Sequence, residues 1–297
     1  MHDNSLTGQR FFIVTALNIL ITVAEFLGGI FSGSLALISD AFHNLGDGAA
    51  IVMAYAASRI SRKKSNQHKT FGYRRAEIIS SYLNAIFLIV ISVFLIVEAG
   101  KRIFEPTKIN GILMLIVAII GLFANAGSAL LLNSGKTNNL NIKATYLHFL
   151  SDALSSVGVI IGAIVIQLFN ITWVDPLVTI LVSLYIIKET FPILRDSTNI
   201  LMQSGPDLDY EAMALDMEKV CGVVSVHHIH AWMIDENRII FSAHINLQDQ
   251  MLSNVEVTYQ AVEKLLTEKY HVDHVTLQAE VERGRDATKF TTNQNDI

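Results

Sequence analysis

The chain has 297 residues, of which 51% are hydrophobic and only 16% are charged, and its mean hydropathy is +0.42. Soluble domains carry about 25% charged residues, so this composition excludes an ordinary soluble protein and indicates membrane-spanning segments. The formal net charge of −5 averages an apolar region up to about Ile200 and a soluble composition from Gly205 onward, so it indicates little about partners. The single cysteine, Cys221, excludes an intramolecular disulfide and a cysteine-based zinc motif.

Six segments are predicted as transmembrane helices, because a span needs about 20 mostly apolar residues. In chain order they are Phe11–Phe31, Leu35–Ala57, Ile78–Val97, Gly111–Leu132, Ala144–Phe169 and Val174–Thr190. The second and fifth are less apolar than the others because they carry ionisable side chains.

Basic residues are concentrated in the loops after the second and fourth spans, namely Arg59, Arg62, Lys63, Lys64, Lys69, Arg74, Arg75, Lys136 and Lys143. The opposite side has only Lys101, Arg102 and Lys108. The positive-inside rule therefore predicts a multi-pass protein of the cell membrane with both termini in the cytoplasm.

Several other polar residues lie inside predicted spans: Asn18, Glu25, Asn84 and Asn125. Such side chains often bridge neighbouring helices by hydrogen bonds. Glu25 could instead lie on a proton or ion path, and the sequence leaves both interpretations open.

The second and fifth spans each contain a histidine followed four residues later by an aspartate. These pairs are His43 with Asp47 and His148 with Asp152. Residues four apart share one face of a helix, so two adjacent helices would present two nitrogens and two carboxylates to one point. That set suits tetrahedral zinc. A chance pair of hydrogen-bonded residues would explain one such motif in a soluble helix, but two motifs at membrane depth indicate a functional site.

The charges of these residues suggest a transport mechanism. Without metal, the two carboxylates would face each other in a poorly hydrated site and hold a proton there or on a histidine. A bound dication would neutralise the carboxylates and expel protons. A site that binds either metal or protons, and that opens alternately to each side, exchanges one for the other. The residues therefore predict an antiporter without enzyme chemistry.

The region after Pro206 is predicted as a small α+β domain. Helices are expected at Leu208–Val220 and Val255–Tyr270, and strands at Val223–Ile234, Ile239–Leu247 and Val275–Val281, with a tight turn around Glu236. This αββαβ order favours helices packed on one face of an antiparallel sheet. The predicted domains are residues 1–204 (six-helix transport domain), 205–285 (cytoplasmic metal-binding and dimerisation domain) and 286–297 (disordered tail).

Four segments resemble the cation diffusion facilitator family, in its zinc-preferring branch: Ser32–Asp47, Phe71–Glu77, His148–Ser156 and Val226–Trp232. The resemblance covers nearly the whole chain. It implies a homodimer that exports divalent metal from the cytoplasm in exchange for protons, with a metallochaperone-like C-terminal domain. Zn²⁺ is the expected substrate and a regulatory ion. The lipid bilayer and protons are the other expected partners, and no nucleic acid is expected.

The resemblance also implies cytoplasmic metal ligands at His227, His244 and Glu280, and Asp273 is a candidate for a further ligand, within one chain or across the dimer. Because side chains alternate along a strand, His228 and His230 are expected on one face and His227 on the other. Some family members bind zinc in the loop after the second span. This chain has Lys69 where a ligand would stand, so that basic loop is interpreted as a topology signal that contacts anionic lipid headgroups.

Three alternatives remain open from the sequence. The same antiporter could prefer Cd²⁺, Co²⁺, Ni²⁺ or Fe²⁺, because affinity order alone does not choose the metal. A membrane metalloenzyme would need an open coordination position and a nearby general base, and only Asp40 lies beside either motif. A metal sensor without transport would not need the membrane quartet.

Overall fold

The computed structural model describes residues 3–133, 140–284 and 288–290, with side chains described from residues 15 to 131 and from 146 onward in those ranges. Six long helices are followed by a small domain. The helices are α1 (Asp3–Ser32), α2 (Leu35–Ser61), α3 (Arg75–Phe104), α4 (Gly111–Asn133), α5 (Leu140–Phe169) and α6 (Val174–Leu201). The domain contains α7 (Tyr210–Glu218), β1 (Val223–Asp235), β2 (Arg238–Leu247), α8 (Leu252–Tyr270) and β3 (His274–Glu280).

Among the described residues, five of the long helices are apolar enough to cross a membrane by length and composition, and α2 is the exception. The 27 residues of α2 include the ionisable residues Asp40, His43 and Asp47, which lower its hydropathy. Large apolar side chains such as Phe94, Leu130 and Leu154 are exposed on the outer faces of the helices, as expected of surfaces that contact lipid. The predicted fold class, a six-helix membrane bundle followed by an α+β domain, is confirmed.

The helices are longer than the predicted spans. The spans were bounded by hydropathy, whereas the helices continue into segments that carry polar residues. The clearest case is α6, which continues through Pro192 to Leu201, whereas the span was predicted to end at Thr190. The prediction of membrane orientation used Lys136 and Lys143. Lys136 and the side chain of Lys143 lie outside the described residues.

The start of α2 is fixed by a carboxylate from a distant helix. Asp175 on α6 accepts hydrogen bonds from the backbone nitrogens of Leu35 (2.9 Å) and Ala36 (3.2 Å), and from the Ser34 hydroxyl. These nitrogens are otherwise unpaired in the first turn of a helix, and a negative charge is favourable there. Gly33 makes the preceding turn with a φ of +77°. The position of the His43 and Asp47 motif on α2 therefore depends on α6.

The chain divides into two compact units. One comprises Met1–Ala56 with Ser80–Leu194, and the other comprises Ala57–Ile79 with Arg195–Ile297. The second unit thus includes the basic loop between α2 and α3. Within it, Arg74 of that loop forms an ion pair with Asp235, with 3.7 Å between Nη1 and Oδ2.

The small domain has a three-stranded sheet in the order β1-β2-β3 with α7 and α8 on one face. The predicted all-antiparallel sheet is wrong: β1 and β2 are antiparallel, but β2 and β3 are parallel, from Ile240 opposite His274 to Asn246 opposite Glu280. The reason is that α8 connects β2 to β3 and returns the chain to the end of the sheet where β2 began.

The core of this domain joins both helices to alternate residues of β2. Met213 and Met217 of α7, Leu266 of α8, and Phe241 and Ile245 of β2 are almost completely inaccessible to solvent. Alternation along β2 directs one face into this core and leaves the other face for polar side chains.

Charged side chains also join α7 to α8. Hydrogen bonds from Lys269, Lys219 and Tyr270 hold the pKa of the Asp216 carboxyl well below its usual range. The predicted disordered tail lies outside the described residues except for residues 288–290, where the carbonyl of Lys289 accepts a hydrogen bond from the Ile229 nitrogen of β1 (2.8 Å).

Candidate metal centres

The two predicted His/Asp pairs meet between α2 and α5. His43 and Asp47 lie one turn apart on α2, and His148 and Asp152 lie one turn apart on α5. We call these four residues the membrane quartet. The Nε2 atom of His43 lies 3.6 Å from Asp47 Oδ2 and 3.5 Å from Asp152 Oδ1, and the Nε2 atom of His148 lies 3.3 Å from Asp47 Oδ2 and 3.4 Å from Asp152 Oδ2.

These distances match the edges of a zinc coordination tetrahedron. An edge is about 1.63 times the centre-to-vertex distance, so ligands about 2.0–2.1 Å from zinc lie about 3.3–3.4 Å apart. The four measured separations are 3.3–3.6 Å. His43, Asp47 and His148 offer ligand atoms that all lie within 4.8 Å of one another. Asp152 approaches His43 through Oδ1 and His148 through Oδ2, so its carboxylate must turn before one ion can contact all four residues.

Three members of the quartet line a cavity. A cavity of about 340 Å³ is lined by His43, Leu147, His148, Ser151, Asp152, Tyr185, Ile186, Glu189 and Thr190. Asp152 is the least accessible member, with 3% of its side chain exposed, whereas 37% of His148 is exposed. Within the described part of the chain, the buried Asp47 Oδ2 and Asp152 Oδ2 atoms have no hydrogen-bond partner. Such atoms fit a site that accepts a cation from the cavity.

Small residues beside the two motifs make different contacts on α2 and on α5. Gly46 packs against Leu88 of α3, where an added Cβ would lie 2.4 Å from Leu88 Cδ2. Ser155 of α5 joins its helix to α2 in addition to the quartet contacts, because its hydroxyl donates a hydrogen bond to Asp40 Oδ1 (3.3 Å). Asp40 is buried and lies one turn before His43, so it supports the helix pair that carries the quartet.

A second group of potential ligands lies in the small domain. His227 Nε2 is 3.2 Å from Glu280 Oε2, and His244 Nδ1 is 3.2 Å from Glu280 Oε1. His227 and His244 are directly paired across β1 and β2, and Glu280 lies at the end of β3. We call these three residues the cytoplasmic cluster. Their separations are again close to those of ligands that share one zinc ion.

The expected arrangement of the histidines on β1 is right for His228 and His230, which lie side by side, but wrong for His227, whose ring packs against His244 as that of His228 does. The strand contains a bulge between His227 and His230, and His228 has a left-handed φ of +51°. The bulge inserts an extra residue and redirects its side chain. As a result, the ring of His228 lies 4.5 Å from that of His244 and 4.6 Å from that of His230, so all four histidines are neighbours.

The protonation of these histidines favours metal binding. Partial burial lowers the pKa of His244, against the opposing effect of Glu280. Partial burial likewise lowers the pKa of His230. A neutral imidazole is the form that ligates a metal ion, so these side chains need to lose little or no proton near neutral pH.

The structure does not bring Asp273 to the cytoplasmic cluster of the same chain. Asp273 precedes β3, and its Oδ2 atom accepts a hydrogen bond from the Ile239 nitrogen (3.0 Å). Glu280 lies seven residues later, at the opposite end of the seven-residue strand, which corresponds to about 23 Å at about 3.3 Å per residue.

Two family models match consecutive parts of the chain. The family model described as "Cation efflux transmembrane domain" matches residues 11–202, and that described as "Cation efflux protein, cytoplasmic domain" matches residues 206–282. The chain belongs to the cation efflux family. This family consists of transporters, and the membrane quartet and the cytoplasmic cluster fall in its transmembrane and cytoplasmic domains respectively.

Similar curated cation efflux proteins cover most of the chain. The "Cadmium, cobalt and zinc/H(+)-K(+) antiporter" of Bacillus velezensis is 37% identical over 87% of this chain and 83% of its own length. The "Metal cation efflux system protein CzcD" of Cupriavidus metallidurans is 34% identical over 94% of this chain and 89% of its own. The "Zinc transporter ZitB" of Pectobacterium atrosepticum is 35% identical over 96% and 89% respectively.

Sequence reasoning missed several supporting residues of this cation efflux protein. Asp175 lies at the start of the sixth predicted span, and nothing in the sequence shows that it caps α2. Asn44 donates a hydrogen bond to Glu25 Oε2 (2.8 Å), so α1 is also joined to the quartet helix. A polar residue inside a predicted span is the available sequence signal for Glu25, but its partner depends on how the helices pack.

Proposed function

We propose that this protein exports divalent metal, with Zn²⁺ as its main substrate, from the cytoplasm in exchange for protons by alternating access. The observation that supports this most strongly is the membrane quartet, in which two imidazoles and two carboxylates are spaced at 3.3–3.6 Å. Two nitrogen and two oxygen ligands suit zinc. The family description specifies cation efflux, and the names of the three relatives specify metal antiport, metal cation efflux and zinc transport.

The charges of the quartet explain why metal and protons compete. Its two aspartates carry two negative charges, which one dication or two protons would balance. Zinc binding requires deprotonated ligands and therefore releases protons. A site that stays charged is costly at membrane depth, so the transporter should reorient readily when either metal or protons occupy the quartet, and slowly when neither does. That preference couples the two fluxes.

The cavity beside the quartet provides an entry for the metal. It lies between α5 and the later part of α6, whose residues Tyr185 and Glu189 line it. Ser151 on α5 is hydrogen-bonded to Tyr185 (2.7 Å between oxygens). In the proposed orientation, with both termini in the cytoplasm of a cell-membrane protein, α6 runs towards the cytoplasm, and the cavity would receive cytoplasmic metal.

We further propose that the protein is a homodimer whose cytoplasmic cluster binds regulatory Zn²⁺. The match to a cytoplasmic cation efflux domain supports the dimer. The cluster has the donor types of a zinc site, and Glu280 Oε2 is buried with no hydrogen-bond partner among the described residues. Zinc there would shift an existing equilibrium of the domain rather than enter the transport path.

A second candidate is a broader substrate range that includes Cd²⁺ and Co²⁺. The name of the Bacillus velezensis relative specifies cadmium, cobalt and zinc, and it also specifies exchange with both protons and potassium. The quartet geometry alone does not distinguish these ions, because several divalent metals accept the same ligands.

Metal uptake into proteoliposomes tests the proposal. Purified protein is reconstituted, a pH gradient is imposed with the acidic side inside, and entry of Zn²⁺, Cd²⁺, Co²⁺ and Mn²⁺ is measured with an encapsulated indicator. We expect rapid Zn²⁺ entry that stops when the gradient is collapsed. Parallel assays in which K⁺ is replaced by Na⁺ distinguish a proton exchanger from one that also uses potassium. Zn²⁺ entry that is indifferent to the pH gradient would contradict proton exchange.

A further inference from the structure

A carboxyl group outside the quartet is buried deep in the bundle. Glu25 on α1 is 1% exposed, and Asn44 of α2 donates a hydrogen bond to its Oε2 atom. Its Oε1 atom is buried with no hydrogen-bond partner among the described residues. An ionisable group at membrane depth is costly and generally has a function, and metal binding by the quartet does not use this one.

Glu25 faces two small residues, Gly121 of α4 and Ser156 of α5. An added Cβ at Gly121 of α4 would lie 2.6 Å from Glu25 Oε1 and 3.8 Å from the Ser156 hydroxyl of α5. Ser156 lies one turn after Asp152 and donates a hydrogen bond to its backbone carbonyl (3.0 Å). The free oxygen of Glu25 is therefore directed to a point close to α5 and to the turn that carries Asp152 of the quartet.

The facing surfaces of α1 and α4 carry polar residues between Glu25 and the N-terminal half of α1. Gly28 packs against Val117 and Glu25 against Gly121, which fixes the antiparallel register of the two helices. On α4, Asn125 and Ser128 follow Gly121 at spacings of four and seven residues, so they share its face. On α1, Asn18 precedes Glu25 by seven residues and shares its face. The register brings Asn18 to the level of Ser128.

We call Asn18, Glu25, Asn125 and Ser128 the polar track. All four are buried, with exposed fractions of 7%, 1%, 0% and 0%. Within the described residues, Asn18 Oδ1, both amide atoms of Asn125 and the Ser128 hydroxyl lack hydrogen-bond partners. Residues that only tied two helices together would be paired with each other. Buried polar atoms that are not paired directly are characteristically bridged by ordered water.

The polar track differs from the metal cavity in position. The cavity is lined by α2, α5 and α6, whereas the track runs between α1 and α4 from Glu25 towards the N-terminal half of α1. Ile21, which is 1% exposed, is the apolar residue between Asn18 and Glu25 on α1. At that level the polar side chain is Asn125 of α4, so the continuity of the track depends on this asparagine.

From these observations we propose that the polar track, hydrated and ending at Glu25, conducts the protons that metal displaces from the quartet, separately from the entering metal. The proposal rests on the proposed metal/proton exchange. Protons hop between waters that the amide and hydroxyl groups orient, and Glu25 accepts a proton from the quartet side and releases it to the track. No proton is created or lost: each one that leaves the quartet on metal binding leaves the membrane domain through the track.

A separate path has a physical advantage. A dication that enters the cavity repels protons that leave through the same space, because like charges in a poorly hydrated cavity interact strongly. A path on the other side of α2 removes this conflict. Asn44 contacts Glu25 and directly follows His43 in α2, so the end of the track lies next to a quartet ligand.

Two substitutions at Asn125 and one at Glu25 test the proposal in reconstituted full-length protein. Asn125→Leu fills the track with an apolar side chain of similar size, and Asn125→Ser is the matched control that keeps a polar group and leaves room for water. Glu25→Gln keeps the shape and removes the titratable group. A pH dye inside the vesicles records proton movement after mixing with Zn²⁺ in a stopped-flow instrument, and calorimetry records Zn²⁺ affinity in detergent.

We expect Asn125→Leu to slow proton movement at least about tenfold, a factor that corresponds to about 1.4 kcal/mol on the barrier. Asn125→Ser should exchange at close to the wild-type rate. Glu25→Gln should be slowed as well, and the dependence of its flux on pH should be flattened. All three should bind Zn²⁺ with nearly wild-type affinity. A role in packing alone would not separate the leucine from the serine variant, nor change the pH profile of Glu25→Gln.

The possible failures are distinguishable. If the wild type moves no protons when Zn²⁺ is added, the proposed exchange and the track both fail. If the wild type exchanges and both Asn125→Leu and Glu25→Gln match its rate and pH profile, only the track is refuted. If Asn125→Leu loses Zn²⁺ binding through misfolding, Glu25→Gln decides, and an unchanged flux and pH profile in that variant overturns the proposal.

Discussion

Replacing Asp152 with asparagine is the most informative single change in the membrane quartet. Asp152 lies within 3.5 Å of His43 Nε2 and 3.4 Å of His148 Nε2, and only 3% of its side chain is exposed. Asparagine has nearly the same shape, so the change removes one negative charge and leaves the packing intact. A dication in the variant would face one carboxylate and retain a net positive charge in a buried site.

The expected loss is large. Removing one partner of a buried charge pair costs about 3–5 kcal/mol. At about 1.4 kcal/mol per factor of ten, Zn²⁺ affinity should fall about 10²- to 10⁴-fold. Metal transport should fall with it, because the site is too weakly occupied to reorient with metal bound.

The assay is calorimetric Zn²⁺ titration of purified protein, with the cytoplasmic cluster replaced by alanine in every sample so that one site is measured. Glu189→Gln is the matched control. It removes the same charge from the same cavity, but Glu189 is exposed and at the cavity wall, so its effect should be at most about fivefold. An Asp152→Asn affinity within the range of this control would refute coordination by the quartet.

Four further outcomes are expected. His43→Asp replaces a nitrogen ligand with a harder oxygen, so competition assays should show a shift towards Cd²⁺ or Mn²⁺ relative to Zn²⁺; an unchanged ranking would mean that His43 does not contact the metal. Replacing all three residues of the cytoplasmic cluster with alanine should change the rate or metal dependence of uptake yet retain pH-coupled flux. Complete loss of transport in folded protein would mean that the cytoplasmic domain is required for transport itself and does not only regulate it. Gly284→Ala should weaken Zn²⁺ binding by that cluster, because a Cβ there would lie 2.3 Å from His227 Nε2 at a backbone φ of +66°; unchanged calorimetric affinity would contradict this contact. Asp216→Asn should destabilise the contact between α7 and α8 at pH 7, because a carboxyl with a depressed pKa stabilises the fold above its unfolded-state value of about 3.9. That stabilisation is lost as pH falls through the lower folded-state pKa. Hydrogen exchange of α8 should therefore differ between variant and wild type at pH 7, and the difference should begin to shrink only below about pH 4.

Much of the fold could be predicted because hydropathy and periodicity act locally. The six helices follow from apolar segments about 20 residues long, and the order of elements in the small domain follows from alternation and turn residues. The direction of β3 was wrong because pairing depends on the path of the whole chain, and α8 returned that strand parallel to β2. The bulge at His228 was likewise invisible, since strict alternation assumes a regular strand.

The membrane quartet could be predicted as a set because a spacing of four residues fixes a helix face. The side-by-side packing of α2 and α5 is a matter of tertiary structure. The motifs implied it only because one metal ion would need ligands from both helices. The supporting contacts could not be predicted in this way. Asp175 caps a helix 140 residues away in sequence, and the partners of Glu25 depend on the register of α1 against α4.

The most direct test of the account reverses the driving force. Proteoliposomes that contain a pH dye are held at equal internal and external pH, with the membrane potential clamped, and Zn²⁺ is added outside. If the quartet exchanges metal for protons, the Zn²⁺ gradient alone must drive protons outward and make the interior alkaline. This change should be absent in Asp152→Asn protein reconstituted at the same density. Zn²⁺ entry without any pH change in the wild type would contradict proton exchange, and an equal pH change in Asp152→Asn would contradict exchange at the quartet.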